Sequence, residues 1–156
     1  MKILFVCLGN ICRSPLAEGL FQWHAQQQGL ADRFTVDSCG TNGLHNGELP
    51  DTRTRKNALS HGLQLEHRSR QIQQQDFAEF DRILVMDEQN VTTVKNLCPE
   101  AFRYKIHKMR ELDPIAPHAD VQDPWYGGEE GFENTFQTLD RCAKAWLFHL
   151  VSNVDN

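Results

Sequence analysis

Short segments of strand length alternate along this chain with stretches whose apolar residues recur at helical spacing. The strand-like segments are Lys2–Cys7, residues 34–39, residues 82–86 and, more weakly, residues 104–107. Runs such as Ile-Leu-Val-Met at 83–86 are typical of strands buried on both faces, as in a parallel sheet. The alternation predicts an α/β fold: an open four-stranded parallel sheet with helices on both faces.

Four helices are predicted between and after these strands. The first has Ser14 as its N-cap and Pro15 at its first helical position, and it ends at Gly29. The second spans residues 51–61, and the third stops at Pro99. Residues expected to face the core are Leu16, Leu20 and Trp23 in the first helix, Val91, Val94 and Leu97 in the third, and Phe132, Phe136, Leu139, Ala143, Trp146 and Leu150 in the last.

Length and composition favour one soluble domain over residues 1–156, because 40 % hydrophobic content is enough for one core. The longest apolar run, residues 3–8, is too short for a membrane span or a secretory signal, so a cytoplasmic protein without membrane attachment is expected. With a net charge of -5 and no basic run, nucleic acid is not an expected partner. Five cysteines without a C-x-x-C pair fit a reducing compartment and indicate no structural zinc.

The loop after the first strand, residues 7–15, reads CLGNICRSP. Five residues separate Cys7 from Arg13, so the backbone N–H groups between them can converge on one point. Gly9 and Asn10 can adopt the left-handed conformations that such a curl needs. The helix that follows adds the positive end of its dipole, and ligands of open parallel sheets bind at the carboxyl ends of the strands. The loop is therefore predicted to bind phosphate.

Cys7 and Arg13 are the candidate reactive residues of this loop. The converging amides and the helix dipole favour thiolate over thiol at Cys7, and the Arg13 guanidinium can hold two phosphate oxygens in a bidentate fork. A thiolate facing phosphorus can attack it in line and form a thiophosphoryl enzyme. Because the amides and Arg13 supply the charge stabilisation, neither a metal nor an organic cofactor is expected. A C-x5-R spacing alone often occurs by chance, so this interpretation depends on its position between an apolar strand and a helix.

Residues 6–15, VCLGNICRSP, resemble the signature of the low-molecular-weight protein-tyrosine phosphatases. The resemblance implies Cys7 as nucleophile, Arg13 as phosphoryl ligand and a Ser14 hydroxyl that stabilises the thiolate. It also implies that a strained Asn10 holds the loop open, and that Cys12 pairs with Cys7 on oxidation and protects it from irreversible damage. The phosphate-binding residues would be Leu8, Gly9, Asn10, Ile11, Cys12, Arg13 and Ser14.

Asp123 is the candidate general acid. A tyrosine phenolate leaves poorly as an anion at neutral pH, because the pKa of its conjugate acid is about 10. Asp123 opens the segment DPWYGG, in which Pro124 restricts the backbone and two aromatic rings can line the entrance. On composition alone an ordinary Asp-Pro turn is the alternative. The resemblance favours the acid, because the family carries an Asp-Pro-aromatic loop at this distance from the C-terminus.

The resemblance extends over nearly the whole chain, with departures at the cleft. Residues 37–41 and 67–71 match family segments and imply that Ser38 and His67 brace Asn10. The expected cleft walls are Leu44, where the family usually has Trp, and Trp125 and Tyr126, so the preference for aryl substrates is expected to be less sharp. Related arginine phosphatases carry Thr in place of Ile11, which favours phosphotyrosine here. The other cysteines, Cys39, Cys98 and Cys142, are interpreted as small buried hydrophobic residues.

Two other functions share parts of this pattern. A thioredoxin-coupled arsenate reductase has the same fold and oxyanion loop but needs a further cysteine pair, whereas Cys98 stands alone on its segment. A phosphopeptide-binding module would lack the nucleophile or the acid, and neither is missing. The expected partners are therefore tyrosine-phosphorylated proteins or peptides, with phosphate and other oxyanions bound in the loop.

Overall fold

The four predicted strands form one all-parallel sheet in a computed structural model, which describes residues 1–154. The strands are β1 (Lys2–Cys7), β2 (Thr35–Gly40), β3 (Arg82–Val85) and β4 (Ile106–Lys108). Their order in the sheet is β2-β1-β3-β4, and all three pairings are parallel. The predicted open α/β sheet is confirmed. β4 is shorter than expected because residues 100–105 form a 3-10 helix before it.

Five α-helices surround the sheet within residues 1–154. They are α1 (Arg13–Gln27), α2 (Thr52–Ser60), α3 (Gln74–Glu79), α4 (Glu88–Leu97) and α5 (Gly128–Val154). The sequence pattern does not predict α3, since its start lies in a run of glutamines without helical periodicity. A capping box between Gln73 and Asp76 defines the beginning of this helix instead. No helix within residues 1–154 is long and apolar enough to cross a membrane.

Alternate side chains of β1 enter two separate cores, as expected for a sheet covered on both faces. Ile3, Phe5 and Cys7 pack with apolar residues of α1 and α5. Leu4 and Val6 pack on the opposite face with residues of α3 and α4. Every residue predicted to face the core from α5 is buried, as are Cys39, Cys98 and Cys142. β1 is therefore one of the two inner strands, beside β3, and its C-terminal end positions the loop that follows.

Three predictions about the helices are wrong. α1 begins at Arg13, with Cys12 at the N-cap and no capping side chain, so Ser14 is not the cap and Pro15 is not the first helical residue. The Ser14 hydroxyl instead contacts the loop, as described below. Trp23 is 40 % exposed, because the inward face of α1 runs through His24, which is 6 % exposed and pairs with Asp140. Leu97, at the end of α4, is likewise 41 % exposed.

Asp113 is a buried carboxylate that joins two parts of the chain. It accepts hydrogen bonds from Arg110 at 2.8 Å and from Arg141 of α5 at 2.8 and 3.0 Å. The bonds from Arg141 outweigh the effect of burial and hold the pKa of Asp113 well below its ordinary value. Its contribution to stability is therefore present above pH ~4, the unfolded value, and is lost as pH falls below it.

Replacing Asp113 by Ala is expected to lower the free energy of unfolding by about 3–5 kcal/mol at pH 7, because it leaves two guanidinium groups without their shared carboxylate. Urea unfolding of both proteins measures the change. The exposed Glu100 provides a matched control, and Glu100→Ala should alter stability by less than about 0.5 kcal/mol. A loss no larger than that of the control would show that the Asp113 cluster does not stabilise the fold.

Candidate active site

The loop between β1 and α1 curls because its carbonyl groups are anchored outward. The carbonyls of Cys7 and Leu8 accept from the backbone N–H groups of Thr41 at 2.9 Å and Asn42 at 3.1 Å, and Ile11 O accepts from Asp51 N at 2.7 Å. With the carbonyls turned outward, the N–H groups of the loop face its centre. A Cβ on Gly40 would lie 2.8 Å from Leu8 O, so only glycine allows the end of β2 to approach the loop this closely.

Asn10 is the buried centre of the loop and has a φ of 57°, the left-handed region. Its Nδ2 donates to Ser14 Oγ at 2.7 Å and to Ser38 Oγ at 3.0 Å. Its Oδ1 accepts from His67 Nε2 at 3.0 Å and from Arg70 N at 3.1 Å. Because a backbone N–H can only donate, the bond from Arg70 fixes the orientation of the amide. Ser38 and His67 thus both contact Asn10 and hold a conformation that costs about 1 kcal/mol or more.

The Cys7 sulfur lies at the floor of the curl, where the residue is 3 % exposed. Ser14 Oγ lies 3.1 Å from Cys7 Sγ, and Ser14 N donates to the same sulfur at 3.4 Å. Ser14 Oγ accepts from Asn10, and its own proton can be donated either to the sulfur at 3.1 Å or to Cys39 O at 3.3 Å. Two donors are therefore available to a thiolate at this position.

Arg13 is held beside the sulfur by residues of two other segments. Its Nη1 donates to Asp87 Oδ2 at 2.7 Å and to Val121 O at 3.0 Å, and the residue is 3 % exposed. These bonds occupy one nitrogen, so Nη2 and Nε remain for a bidentate ligand. Asp87 was not among the predicted site residues. The sequence feature that could have indicated it is an acidic residue directly after the apolar run of the third strand, at the same carboxyl edge of the sheet as Cys7.

Asp123 lies across the cleft from this loop, with its side chain 41 % exposed. One oxygen accepts from Trp125 N at 3.0 Å, and the other lies 3.8 Å from Arg13 Nη2. Arg53 supports this segment from α2: its guanidinium carbon is 5.0 Å from the centre of the Trp125 ring, and its Nη1 donates to Trp125 O at 3.1 Å. Asp123 therefore keeps one carboxylate oxygen directed toward the space above Cys7.

The cleft has a volume of about 170 Å³. Leu44 and Trp125 form part of its wall, and they are 81 % and 39 % exposed. The Tyr126 side chain lies outside the described residues. Asn42 and His45 also line the cleft, and nothing in their sequence context predicted them. The structure brings together Cys7, Leu8, Gly9, Ile11, Cys12, Arg13, Leu44, Asp123 and Trp125 around the cleft, whereas the side chains of Asn10, Ser14, Ser38 and His67 bond to one another on the side of the loop away from the cleft.

Cys12 is the second thiol of the loop, and it is 6 % exposed. Burial raises the pKa of Cys12 to about 12; the nearby Thr54 side chain opposes this, and the charges of Asp51 and Cys7 add to it. Cys12 is therefore a protonated thiol at neutral pH. The loop thus contains a sulfur that faces hydrogen-bond donors, at Cys7, and a second that stays neutral.

Comparison with known proteins identifies relatives of this chain. Residues 2–156 match the family model described as low molecular weight phosphotyrosine protein phosphatase. The human protein named low molecular weight phosphotyrosine protein phosphatase is 40 % identical over 148 residues, which cover 94 % of this chain and 93 % of that protein.

Solved structures agree with the sequence relatives. A crystal structure of a protein tyrosine phosphatase from Entamoeba histolytica, with Hepes in its active site, has a TM-score of 0.95 and 38 % identity, covering 98 % of both chains. A structure of the YwlE arginine phosphatase, a mutant with a phosphorylated active-site serine, has a TM-score of 0.88 and 26 % identity, covering 96 % of this chain and 95 % of that one.

Proposed function

Since the chain belongs to the low molecular weight phosphotyrosine protein phosphatases, we propose that it hydrolyses phosphotyrosine monoesters with Cys7 as nucleophile, Arg13 as phosphate ligand and Asp123 as general acid. The protein is a protein-tyrosine phosphatase, and the proposal assigns its chemistry to residues. The observation that carries this assignment is the buried Cys7 sulfur, which faces Ser14 donors at 3.1 and 3.4 Å inside a loop whose carbonyls turn outward.

In the first step the phosphoryl group binds in the loop. The N–H groups of residues 8–13 and the free nitrogens of Arg13 contact its three non-bridging oxygens, while Ser14 N stays with the Cys7 sulfur. The Cys7 thiolate attacks phosphorus in line, a P–S bond forms, and the P–O bond to the substrate breaks. Asp123 donates its proton to the departing oxygen, which leaves as neutral tyrosine. Asp87 and Val121 O act as positioning groups, because they hold the guanidinium at the angle that a bidentate contact requires.

In the second step water replaces the thiolate. Asp123, now a carboxylate, takes a proton from the attacking water, the P–S bond breaks, and inorganic phosphate leaves. The Cys7 thiolate is regenerated, where Ser14 stabilises it. The sulfur is the leaving group of this step and departs in line. The donors that stabilise the thiolate before the first step therefore stabilise it again here. No metal is needed for either step, since the amides and Arg13 carry the developing charge.

The phosphorylated active-site serine of the YwlE mutant supports a covalent phosphoenzyme in this fold. That relative is an arginine phosphatase, so phosphoarginine is the competing substrate class. Ile11, which lines the cleft and is 8 % exposed, supports phosphotyrosine, because an apolar side chain offers the guanidinium of phosphoarginine no hydrogen-bond acceptor.

A direct comparison of phosphotyrosine, phosphoserine and phosphoarginine in one peptide sequence tests the substrate class. We expect kcat/KM to be highest for phosphotyrosine. Its ring can contact Trp125 and Leu44 at the rim of the cleft while its phosphate lies in the loop, whereas phosphoserine is too short to contact both. Ile11→Thr is the matched variant, and it should raise the relative rate with phosphoarginine. Equal or faster turnover of phosphoarginine by the unaltered protein would contradict the proposed substrate.

We also propose that Cys12 protects Cys7 from overoxidation. Peroxide converts the Cys7 thiolate to a sulfenic acid, and the neutral Cys12 thiol condenses with it to give a disulfide and water. After mild peroxide, activity should return with a dithiol in the unaltered protein and stay lost in Cys12→Ser, as measured by recovery and by mass spectrometry. Cys98→Ala, at the end of α4, serves as control and should recover normally. Equal recovery in Cys12→Ser would make this role wrong.

The remaining expectations complete the proposal. The chain would form a single phosphatase domain over residues 1–156, act in the cytoplasm on tyrosine-phosphorylated proteins or peptides, and bind phosphate and related oxyanions in the loop.

An arsenate reductase is less consistent with the structure, because Cys98 is buried at the end of α4 and its sulfur donates to Pro99 O at 3.3 Å. A binding module without chemistry would not need Asp123 directed into the cleft.

A further inference from the structure

The segment that contains Asp123, residues 122–127, is called the acid segment below, and few bonds hold it in place. On its N-terminal side, Val121 N donates to Met86 O at 2.7 Å, so the chain is fixed to the sheet just before the segment begins. On its C-terminal side the chain enters α5 at Gly128, whose φ of 65° lies in the left-handed region. The position of Asp123 therefore depends on the contacts that other elements make with the segment.

Arg53 of α2 makes such a contact. Its Nη1 donates to Trp125 O at 3.1 Å, and within the described part of the chain this is the one hydrogen bond from outside the segment to Asp123, Pro124 or Trp125. The other bonds are internal: Trp125 N donates to Asp123 Oδ1 at 3.0 Å, and Gly127 N donates to Pro124 O at 2.9 Å. Asp123 and Trp125 are thus bonded to each other, and Arg53 connects the pair to α2.

Two aromatic rings hold the Arg53 guanidinium in place. Its central carbon is 5.0 Å from the centre of the Trp125 ring and 4.7 Å from the centre of the Phe132 ring of α5. Both distances fall within the range of cation–π interactions, which extends to about 6 Å. Phe132 is 4 % exposed and packs with Ile11 and Cys12 of the phosphate-binding loop. The guanidinium therefore rests on a buried ring that itself contacts the loop.

Asp51 fixes the other edge of the guanidinium. Its Oδ1 accepts from Arg53 Nε at 3.1 Å and its Oδ2 accepts from Arg53 Nη2 at 3.3 Å, which is a bidentate pair. Asp51 N donates to Ile11 O at 2.7 Å, so this residue is also bonded to the phosphate-binding loop. Together with the bond to Trp125 O, all three guanidinium nitrogens are used. A lysine, with a single nitrogen, could not reproduce this arrangement.

On the basis of the function proposed above, we propose that Arg53 is the positioning residue for the general acid. By holding Trp125 O, it sets the distance of Asp123 from the phosphate-binding loop. Arg53 does not touch the reacting atoms and acts through the proton of Asp123. A displaced carboxyl group loses hydrogen-bond reach to the departing oxygen, whereas the loop still binds the phosphoryl group.

Burst-phase kinetics of Arg53→Met test this role, because Met keeps apolar contact with both rings but donates no hydrogen bond. At saturating substrate, phosphoenzyme formation from phosphotyrosine should slow by about 10- to 100-fold, since a misplacement of about 1 Å can cost about 10²-fold. The loss should be below about 3-fold for a nitrophenyl ester, whose leaving group needs little protonation. Vanadate affinity should be unchanged, because the loop amides and Arg13 are intact.

Arg55→Met is the matched control. Arg55 lies on the same helix, but its Nε donates to Pro50 O at 3.0 Å instead of to the acid segment. Its substitution should leave both burst rates and the vanadate affinity nearly unchanged. A loss in Arg55→Met as large as that in Arg53→Met would show that the effect comes from α2 as a whole, and it would overturn the proposal.

The double variant Arg53→Met/Asp123→Asn separates positioning of the acid from a general structural role. If Arg53 acts through Asp123, its substitution should slow the burst by less than about 2-fold once Asp123 is already Asn, because the two effects are then not additive. A loss that multiplies with that of Asp123→Asn would overturn the proposal. So would unchanged burst rates in Arg53→Met, equal losses for the two esters, or weaker vanadate binding.

Failure of the proposed function would give a different pattern from failure of this inference. If Asp123 is not the acid, Asp123→Asn by itself shows equal losses for the two esters, and both proposals fall. If only the role of Arg53 is wrong, Asp123→Asn remains selective for phosphotyrosine and Arg53→Met does not.

Discussion

Cys7→Ser should lose turnover of phosphotyrosine, to less than about 10⁻⁴ of the original rate, and still bind vanadate and phosphate. The serine hydroxyl is a far weaker nucleophile than a thiolate, while the inward amides and Arg13 remain to hold an oxyanion. Single-turnover kinetics measure the first property, and calorimetry with vanadate measures the second.

Arg13→Ala is the complementary variant and should lose both turnover and oxyanion binding, because Asp87 would then face the site without its partner. Arg13→Lys keeps the charge but not the fork, and it should bind oxyanions weakly. Substantial turnover by Cys7→Ser, or activity that disappears after chelation of divalent metals, would contradict a thiolate mechanism.

Asp123→Asn should slow phosphoenzyme formation from phosphotyrosine by about 10²- to 10⁴-fold, the usual contribution of a positioned acid. The loss should be smaller for a nitrophenyl ester, whose leaving group is already stable as an anion. Asn can still accept the hydrogen bond from Trp125 N, so the segment should keep its shape. The burst phase must be measured, since slow hydrolysis of the phosphoenzyme would hide the difference in the steady state.

Asp120→Asn is the matched control for this experiment. Asp120 lies on the same segment and is about as exposed, but it pairs with Lys108 instead of lining the cleft. Its substitution should leave both burst rates nearly unchanged. Equal losses for the two esters in Asp123→Asn, with binding intact, would assign Asp123 a structural role.

The sequence predicts the sheet well because its central strands are buried on both faces. β1 and β3 read as continuous apolar runs, and α5 repeats its apolar residues at helical spacing over its whole length. α3 could not be predicted in this way, because its stability comes from a cap and from the burial of Phe77. The start of α1 was misplaced for a related reason: the Ser14 hydroxyl, a typical cap, bonds to Cys7 and Asn10 instead.

The site was predictable where one continuous segment supplies it. The C-x5-R motif contains the sulfur, the guanidinium and the amides, so its sequence alone indicated a phosphate-binding loop. Asp87, Val121 and His45 come from three distant segments, and only the packing of the sheet brings them to the cleft. The raised pKa of Cys12 also depends on burial, which its neighbours in sequence do not specify.

The bonds of Asn10 predict that activity returns late in folding. Its amide contacts residues 28, 57 and 60 positions further along the chain, at Ser38, His67 and Arg70. Contacts between such distant residues form slowly, since long stretches of chain must first be ordered. A refolding molecule with its sheet and helices complete but residues 67–70 undocked would resemble the native protein by circular dichroism and yet be unable to hold phosphate. We therefore expect recovered activity to report the docking of residues 67–70.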